Sequence, residues 1–150
     1  MKRLLTLILC GAALLGAGLL MVANAGEKPE AAIPPIPVAE VAAESWLSLV
    51  DSGKYAQSWD QAAEFFRSKV TKSQWEEMLG TVRSPLGKVN LRKLASARSV
   101  TELPNAPKAD YVVIQHATSF ANLPSALETV VPMLDKDGRW RVSGYFVKRN

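Results

Sequence analysis

The residues able to do chemistry in this chain are few and scattered. His116 is the only histidine. It alternates with Ile114 and Thr118 along an apolar stretch, so a metal site or a Ser-His-Asp triad would have to be built around it alone. A solitary histidine on a strand is more often a surface residue, or one satisfied inside the fold. Four carboxylates, Asp51, Asp60, Glu64 and Glu128, are candidates for a proton-transfer pair, with Tyr55 or Tyr145 as the hydroxyl partner. Asp51 and Asp60 read equally well as helix-end and exposed residues. The chain has no H-E-x-x-H, no G-x-S-x-G and no glycine-rich phosphate loop. These residues therefore name no catalytic group, no metal ligand set and no cofactor.

Binding is the other chemistry the residue types offer. Trp46, Trp59, Trp75 and Trp140 are many indoles for this length, and exposed rings stack on sugars. Each falls on the apolar stripe of its own element, which favours core packing. Between Met78 and Thr101 lie five basic residues, Arg83, Lys88, Arg92, Lys93 and Arg98, and no acid. Such a run either meets an anionic envelope partner or guards an edge strand against sheet-to-sheet pairing. Four side chains form the candidate ligand site at the mouth between helices and sheet: Tyr55, Trp59, Arg83 and Tyr145. Arg83 ends a helix just before a rigid turn, where its guanidinium reaches a carboxylate of a ligand or of Glu128.

Those residues sit in a chain with a distinctive start. Met1-Lys2-Arg3 is followed by an uncharged run, Leu4 to Val22, and by Ala23-Asn24-Ala25, a small-x-small triplet. That order predicts a signal peptide over residues 1–25, removed after Ala25. The apolar run is long enough to span a bilayer if it is not cut, but the A-x-A site favours cleavage. Leu9 before Cys10 and the short apolar run ahead of it argue against lipidation. Cys10 is the only cysteine and leaves with the leader, which excludes disulfides, thiolate catalysis and Cys-based metal sites from the mature chain. Loss of Lys2 and Arg3 lowers the net charge from +4 to +2, too mild to suggest nucleic acid. No stable membrane insertion is expected once the leader is gone. Residues 26–38 hold Pro29, Pro34, Pro35 and Pro37 and read as an extended tether. Residues 39–150 then form one domain.

Within that domain the period changes from helical to extended. Ala42, Trp46, Leu49 and Val50 mark one helix, closed by Asp51-Ser52-Gly53. Tyr55, Trp59, Ala62, Ala63 and Phe66 mark a second. Thr71 to Gln74 has the form of a capping box and opens a third, with Trp75, Met78, Leu79 and Val82 inward. Four strands follow: a polar, edge-like Val89–Val100, a strong Tyr111–Phe120, Leu127–Leu134 with Pro132 at an edge or bulge, and Arg139–Val147. In the last, Trp140, Val142, Gly144 and Phe146 are expected on the packed face. The whole is α+β, three N-terminal helices on a four-stranded antiparallel sheet.

The ordered set Trp46, Asp51-x-Gly53-x-Tyr55-x-x-Ser58-Trp59, Gln74-Trp75, Arg83-x-Pro85-Leu86-Gly87, Arg92, Tyr111-Val112-Val113, Thr118-x-Phe120, Glu128-Thr129 and Asp137-Gly138-x-Trp140-Arg141-Val142-x-Gly144-Tyr145 resembles the bacterial family catalogued as domain of unknown function 4019. The resemblance runs from Ala39 to the C-terminus. The loop before Tyr111, Pro107-Lys108-Ala109-Asp110, departs from it in lacking glycine. It implies an exported bacterial domain, similar in element order to the nuclear transport factor 2-like or cystatin-like superfold, and brings no reaction with it. The expectation is a periplasmic or secreted, non-enzymatic module that binds a small ligand or an envelope protein. The alternative is a small-molecule enzyme, isomerase- or hydrolase-like, using a helix–sheet pocket.

Overall fold

The computed structural model describes residues 35–150. The leader and residues 26–34 of the tether lie outside that range. The chain runs α1 (Pro35–Asp51), α2 (Tyr55–Asp60), α3 (Glu64–Lys69), α4 (Lys72–Val82), a 3-10 turn (Ser84–Leu86), then β1 (Val89–Val100), β2 (Tyr111–Phe120), β3 (Leu123–Leu134) and β4 (Trp140–Arg149). The strands form one antiparallel meander in the order β1-β2-β3-β4. No helix among the described residues is long and apolar enough to cross a membrane.

Helix α1 begins at Pro35, earlier than its apolar spacing alone implies. Pro35 and Pro37 occupy the first turn, where a missing N–H costs nothing because those donors have no helical partner. Its buried stripe is Ala39, Ala43, Trp46, Leu47 and Val50, rotated from the expected one so that Ala42 and Leu49 flank it half-buried. The helix ends in a Schellman turn. Gly53 takes φ 70°, Lys54 N–H donates to Leu49 O at 2.8 Å, and Gly53 N–H donates to Val50 O at 3.1 Å. Helix α1 packs against all four strands.

Two helices stand where the sequence predicts one over Tyr55–Phe66. The Ala63 N–H donates to Val142 O of β4 at 2.8 Å instead of continuing a helix, and Ala62 and Ala63 are fully buried. Four helices, not three, therefore precede the sheet. The capping box of α4 forms as expected, with Thr71 and Gln74 each bonding the other's backbone N–H. Only Trp75 and Leu79 of its expected face are buried; Met78 and Val82 are exposed.

The indoles are structural. Trp46 Nε1–H donates to Ser58 O at 2.7 Å, Trp75 Nε1–H to Ser58 Oγ at 2.9 Å, and Trp59 Nε1–H to Val70 O at 2.7 Å. Trp46 lies 5.9 Å from Trp75 and 5.4 Å from Tyr145, centroid to centroid. They close a core with Leu47, Val50, Val112, Ile114, Val130 and Val142, and Trp140 packs at its margin.

Strand β4 corrects the expected face. Val131 pairs with Gly144 but Pro132 pairs with Val142, so Ser143 is the extra residue of a bulge. A one-residue slip exchanges the faces. Trp140 and Val142 face α1, and beyond the bulge Tyr145 does so in place of Phe146, which is exposed. Pro132 marks this bulge on β3, a central strand.

Candidate functional site

The bulge decides what faces the last turn of α1. Ahead of that turn the sheet presents Val112, Ile114, Val130 and Val142. Beneath it the sheet is polar: Arg92 pairs across from Thr118, and His116 across from Glu128. Tyr145 on β4 completes the row.

Glu128 is fully buried, and its carboxylate accepts four hydrogen bonds. Arg92 supplies two, Nε at 2.6 Å and Nη2 at 3.1 Å; Thr118 Oγ1 supplies one at 2.9 Å, and the Tyr145 hydroxyl one at 2.7 Å. Arg92 also donates to Asp51, at 2.8 and 3.0 Å, and Arg83 Nη2 donates to the same carboxylate at 2.9 Å. Arg83 is itself nearly buried, stacked 4.6 Å over the Phe120 ring, with Nη1 on Gly87 O at 2.8 Å. Gly87 takes φ 77° and approaches Ala121 so closely that an added Cβ would lie 3.0 Å from the alanine methyl. The result is an alternating chain Arg83–Asp51–Arg92–Glu128, two cations and two anions.

An acid at a helix C-terminus meets the negative end of the dipole, so Asp51 depends on its arginines. Burial pushes its carboxyl up, but the hydrogen bonds from Arg92 and Arg83 outweigh this and hold it below the usual carboxylate range. Burial, with the Glu128 charge, pushes the Tyr145 phenol well above its ordinary value, so the hydroxyl stays a donor.

A single match decides the relationship. The model of the family described as protein of unknown function (DUF4019) matches residues 42–145. The chain belongs to the DUF4019 family. The matched span holds every member of the network, from Asp51 to Tyr145. No curated protein and no solved structure matches the chain.

In this DUF4019 domain a groove of about 400 Å³ opens beside the network. Ser48, Asp51 and Ser52 form its α1 side, Arg92 and Leu94 its β1 side, and His116 its floor. His116 is 7 % exposed, and its Nδ1 has no hydrogen-bond partner. Burial pushes its pKa below the ordinary histidine value.

The four expected site residues are placed differently from this groove. Arg83 and Tyr145 stand behind it, holding Asp51 and Glu128. The internal pair expected between Arg83 and Glu128 is replaced: Asp51 takes Arg83, and Arg92 takes Glu128. Tyr55 and Trp59 pack against the core, and Trp59 carries the Lys72 ammonium 5.3 Å from its ring centre. Asp60 pairs with Lys72 at 2.6 Å, on the surface, and Glu64 begins α3. Of the five basic residues, Arg83 and Arg92 turn inward, while Lys88, Lys93 and Arg98 are exposed. In sequence Arg92 reads as an edge guard or a contact for an anionic partner, and His116 as a surface or internally satisfied residue. The signal that would have found both was strand alternation: Ile114, His116 and Thr118 share a face, and Arg92 lies opposite Thr118.

Among the described residues no group of three or more His, Cys, Asp or Glu is arranged to hold a metal ion.

Proposed function

We propose that this DUF4019 domain is an exported, non-enzymatic binding module of the bacterial envelope, and that its ligand occupies the groove between α1 and strands β1–β2. The signal-type N-terminus supports export, and the Pro-rich segment supports an extended linker ahead of the domain. Element order supports a nuclear transport factor 2-like or cystatin-like relationship. The observation that carries the binding reading is the groove's wall. Asp51 and Arg92 are fixed by internal pairs, so the polar rim is preorganised before any ligand arrives. A general acid or base needs a free valence and a proton path. Glu128, the buried carboxylate, accepts from Arg92, Thr118 and Tyr145 and does not line the groove, which favours binding over the isomerase- or hydrolase-like alternative.

The test is made on protein expressed with its own leader. Envelope fractions should yield a chain beginning at Gly26 by intact mass. Native mass spectrometry should show a small non-covalent adduct on it. Ser48→Trp, which fills the groove from the exposed side of α1, should remove the adduct without unfolding the domain. A cytoplasmic chain that retains Met1, or an adduct unchanged by S48W, would overturn the proposal.

A further inference from the structure

The groove uses one face of the sheet, and the opposite face is covered over only part of its length. There Leu103, Ala106 and Ala109 of the β1–β2 loop pack on Tyr111, Val113, Val131 and Met133. The strand register sets out what lies beyond them. Lys93 pairs with Ala117, Ala117 with Leu127, and Leu127 with Lys148, so one row across the four strands reads cation, two apolar side chains, cation. Its ends stand three strand spacings apart, about 14 Å at the backbone. The adjoining row runs Ser96, Gln115, Thr129, Phe146, and Arg98 stands two residues beyond Ser96 on the same face. Leu91 and Phe146 are 51 % and 63 % exposed. The Phe146 ring lies over Gly144, where an added Cβ would stand 3.3 Å from a ring carbon, so it spreads along the sheet as a flat apolar surface.

Charge and shape select the partner. Lys93, Arg98 and Lys148 are exposed and make no ion pair among the described residues, and no strand residue on this face is acidic. The face therefore calls for an anionic partner. A second copy is disfavoured, because a two-fold contact sets the same cations against one another. The cations stand on opposite edges, on long stems that bury their methylenes and keep their charge outside. That spread suits a plane of many anionic groups, not a single carboxylate or phosphate.

We propose that the outer face of the sheet docks this domain on an anionic phospholipid surface. Phe146 and Leu91 enter the boundary between headgroups and acyl chains, and Lys93, Arg98 and Lys148 meet lipid phosphates. The groove, on the other side of the sheet, stays open to solvent in this orientation.

Vesicle flotation of the exported protein tests this. Vesicles of equal parts phosphatidylglycerol and phosphatidylcholine should carry the protein, pure phosphatidylcholine should carry far less, and added salt should release it. Lys93→Gln, Arg98→Gln and Lys148→Gln should each weaken partitioning about fivefold, and together about a hundredfold, the loss expected for cations at an anionic surface. Phe146→Ser should weaken it about tenfold, and Phe146→Trp should hold it, since indoles favour the membrane interface. Lys54→Gln with Lys136→Gln and Arg139→Gln removes the same charge from the helical layer and the β3–β4 hairpin, and should change partitioning by no more than about twofold. S48W should float as the unchanged protein does, which separates this face from the groove. Equal losses in the two charge triples would reduce the effect to net charge and overturn the proposal, as would failure to float with either vesicle. Binding to polyglutamate in place of vesicles would assign the face to an acidic protein, and a dimer in sedimentation equilibrium that F146S dissociates, without vesicle binding, would assign it to a second copy; either ends the lipid assignment.

Discussion

Arg92→Met removes the centre of the charge network while keeping most of the side chain's bulk. Glu128 is then left with no exposure, a negative charge, and only the Thr118 and Tyr145 hydroxyls as donors. Stranding one member of a buried ion pair costs about 3–5 kcal/mol. The loss at Asp51 is smaller, about 0–1 kcal/mol, because that side chain is 28 % exposed, keeps Arg83 and is reached by water. The total, about 3–6 kcal/mol, is a large share of the roughly 5–15 kcal/mol that holds a typical domain together. Arg92→Met combined with Glu128→Met should cost less than Arg92→Met alone, since no charge is stranded and apolar side chains replace the buried pair, with the unpaired Thr118 and Tyr145 hydroxyls keeping part of the penalty. Urea unfolding followed by tryptophan fluorescence reads both, with the m-value checking that the same surface is exposed. A loss below about 1 kcal/mol for R92M, or a double variant no better than the single, would refute the view that this network is buried and coupled.

The bulge in β4 makes Phe146→Ser cost within about 0.5 kcal/mol, whereas Val142→Ala, two residues before the bulge's far side, should cost about 2 kcal/mol; equal losses in denaturant melts would return Phe146 to the packed face. Thr71→Ala removes the α4 cap and should cost about 1 kcal/mol in the same assay, with no change if the box does not form in solution. His116 faces Glu40 and Glu44 from α1, Arg92 from β1 and Glu128 from β3, and its folded pKa is lowered chiefly by burial. The unfolded chain therefore binds its proton first, so stability is full above the unfolded value near 6.5 and declines as pH falls below it. Asp51, also lowered when folded, adds a further loss below its unfolded value near 3.8. His116→Phe should flatten the upper part of a stability-versus-pH curve and leave the acid limb; an unchanged slope near pH 6 would contradict the burial.

What the sequence makes legible here is what is decided locally. The Thr71–Gln74 capping box, the Gly53 helix stop, the Asp-Gly connection and the alternation of Tyr111–Phe120 are each written within a few residues. What is hidden is decided by partners far along the chain. No proline or glycine interrupts Tyr55 to Phe66, and the break comes from one hydrogen bond to Val142. Trp140 to Phe146 alternates perfectly on paper, and the Ser143 bulge reverses half of it. Arg92 looks like an edge guard because β1 is an edge strand, yet its side chain turns under α1 to meet two acids 36 and 41 residues away. Of the expected ligand site, Arg83 and Tyr145 belong to the network behind the groove, while Tyr55 and Trp59 are held in the helical layer.

The claim that most needs testing is that ligands meet this domain between α1 and strands β1–β2. Nitrogen-15 labelled protein, processed from its own leader, is mixed with the dialysable small-molecule fraction of the envelope, and amide shifts are mapped. Saturable shifts are expected, confined to Glu44–Ser52, Arg92–Leu94 and His116 and absent in S48W. Shifts gathered instead around Trp59 or on the Phe146 face of the sheet, with the groove silent, would contradict it.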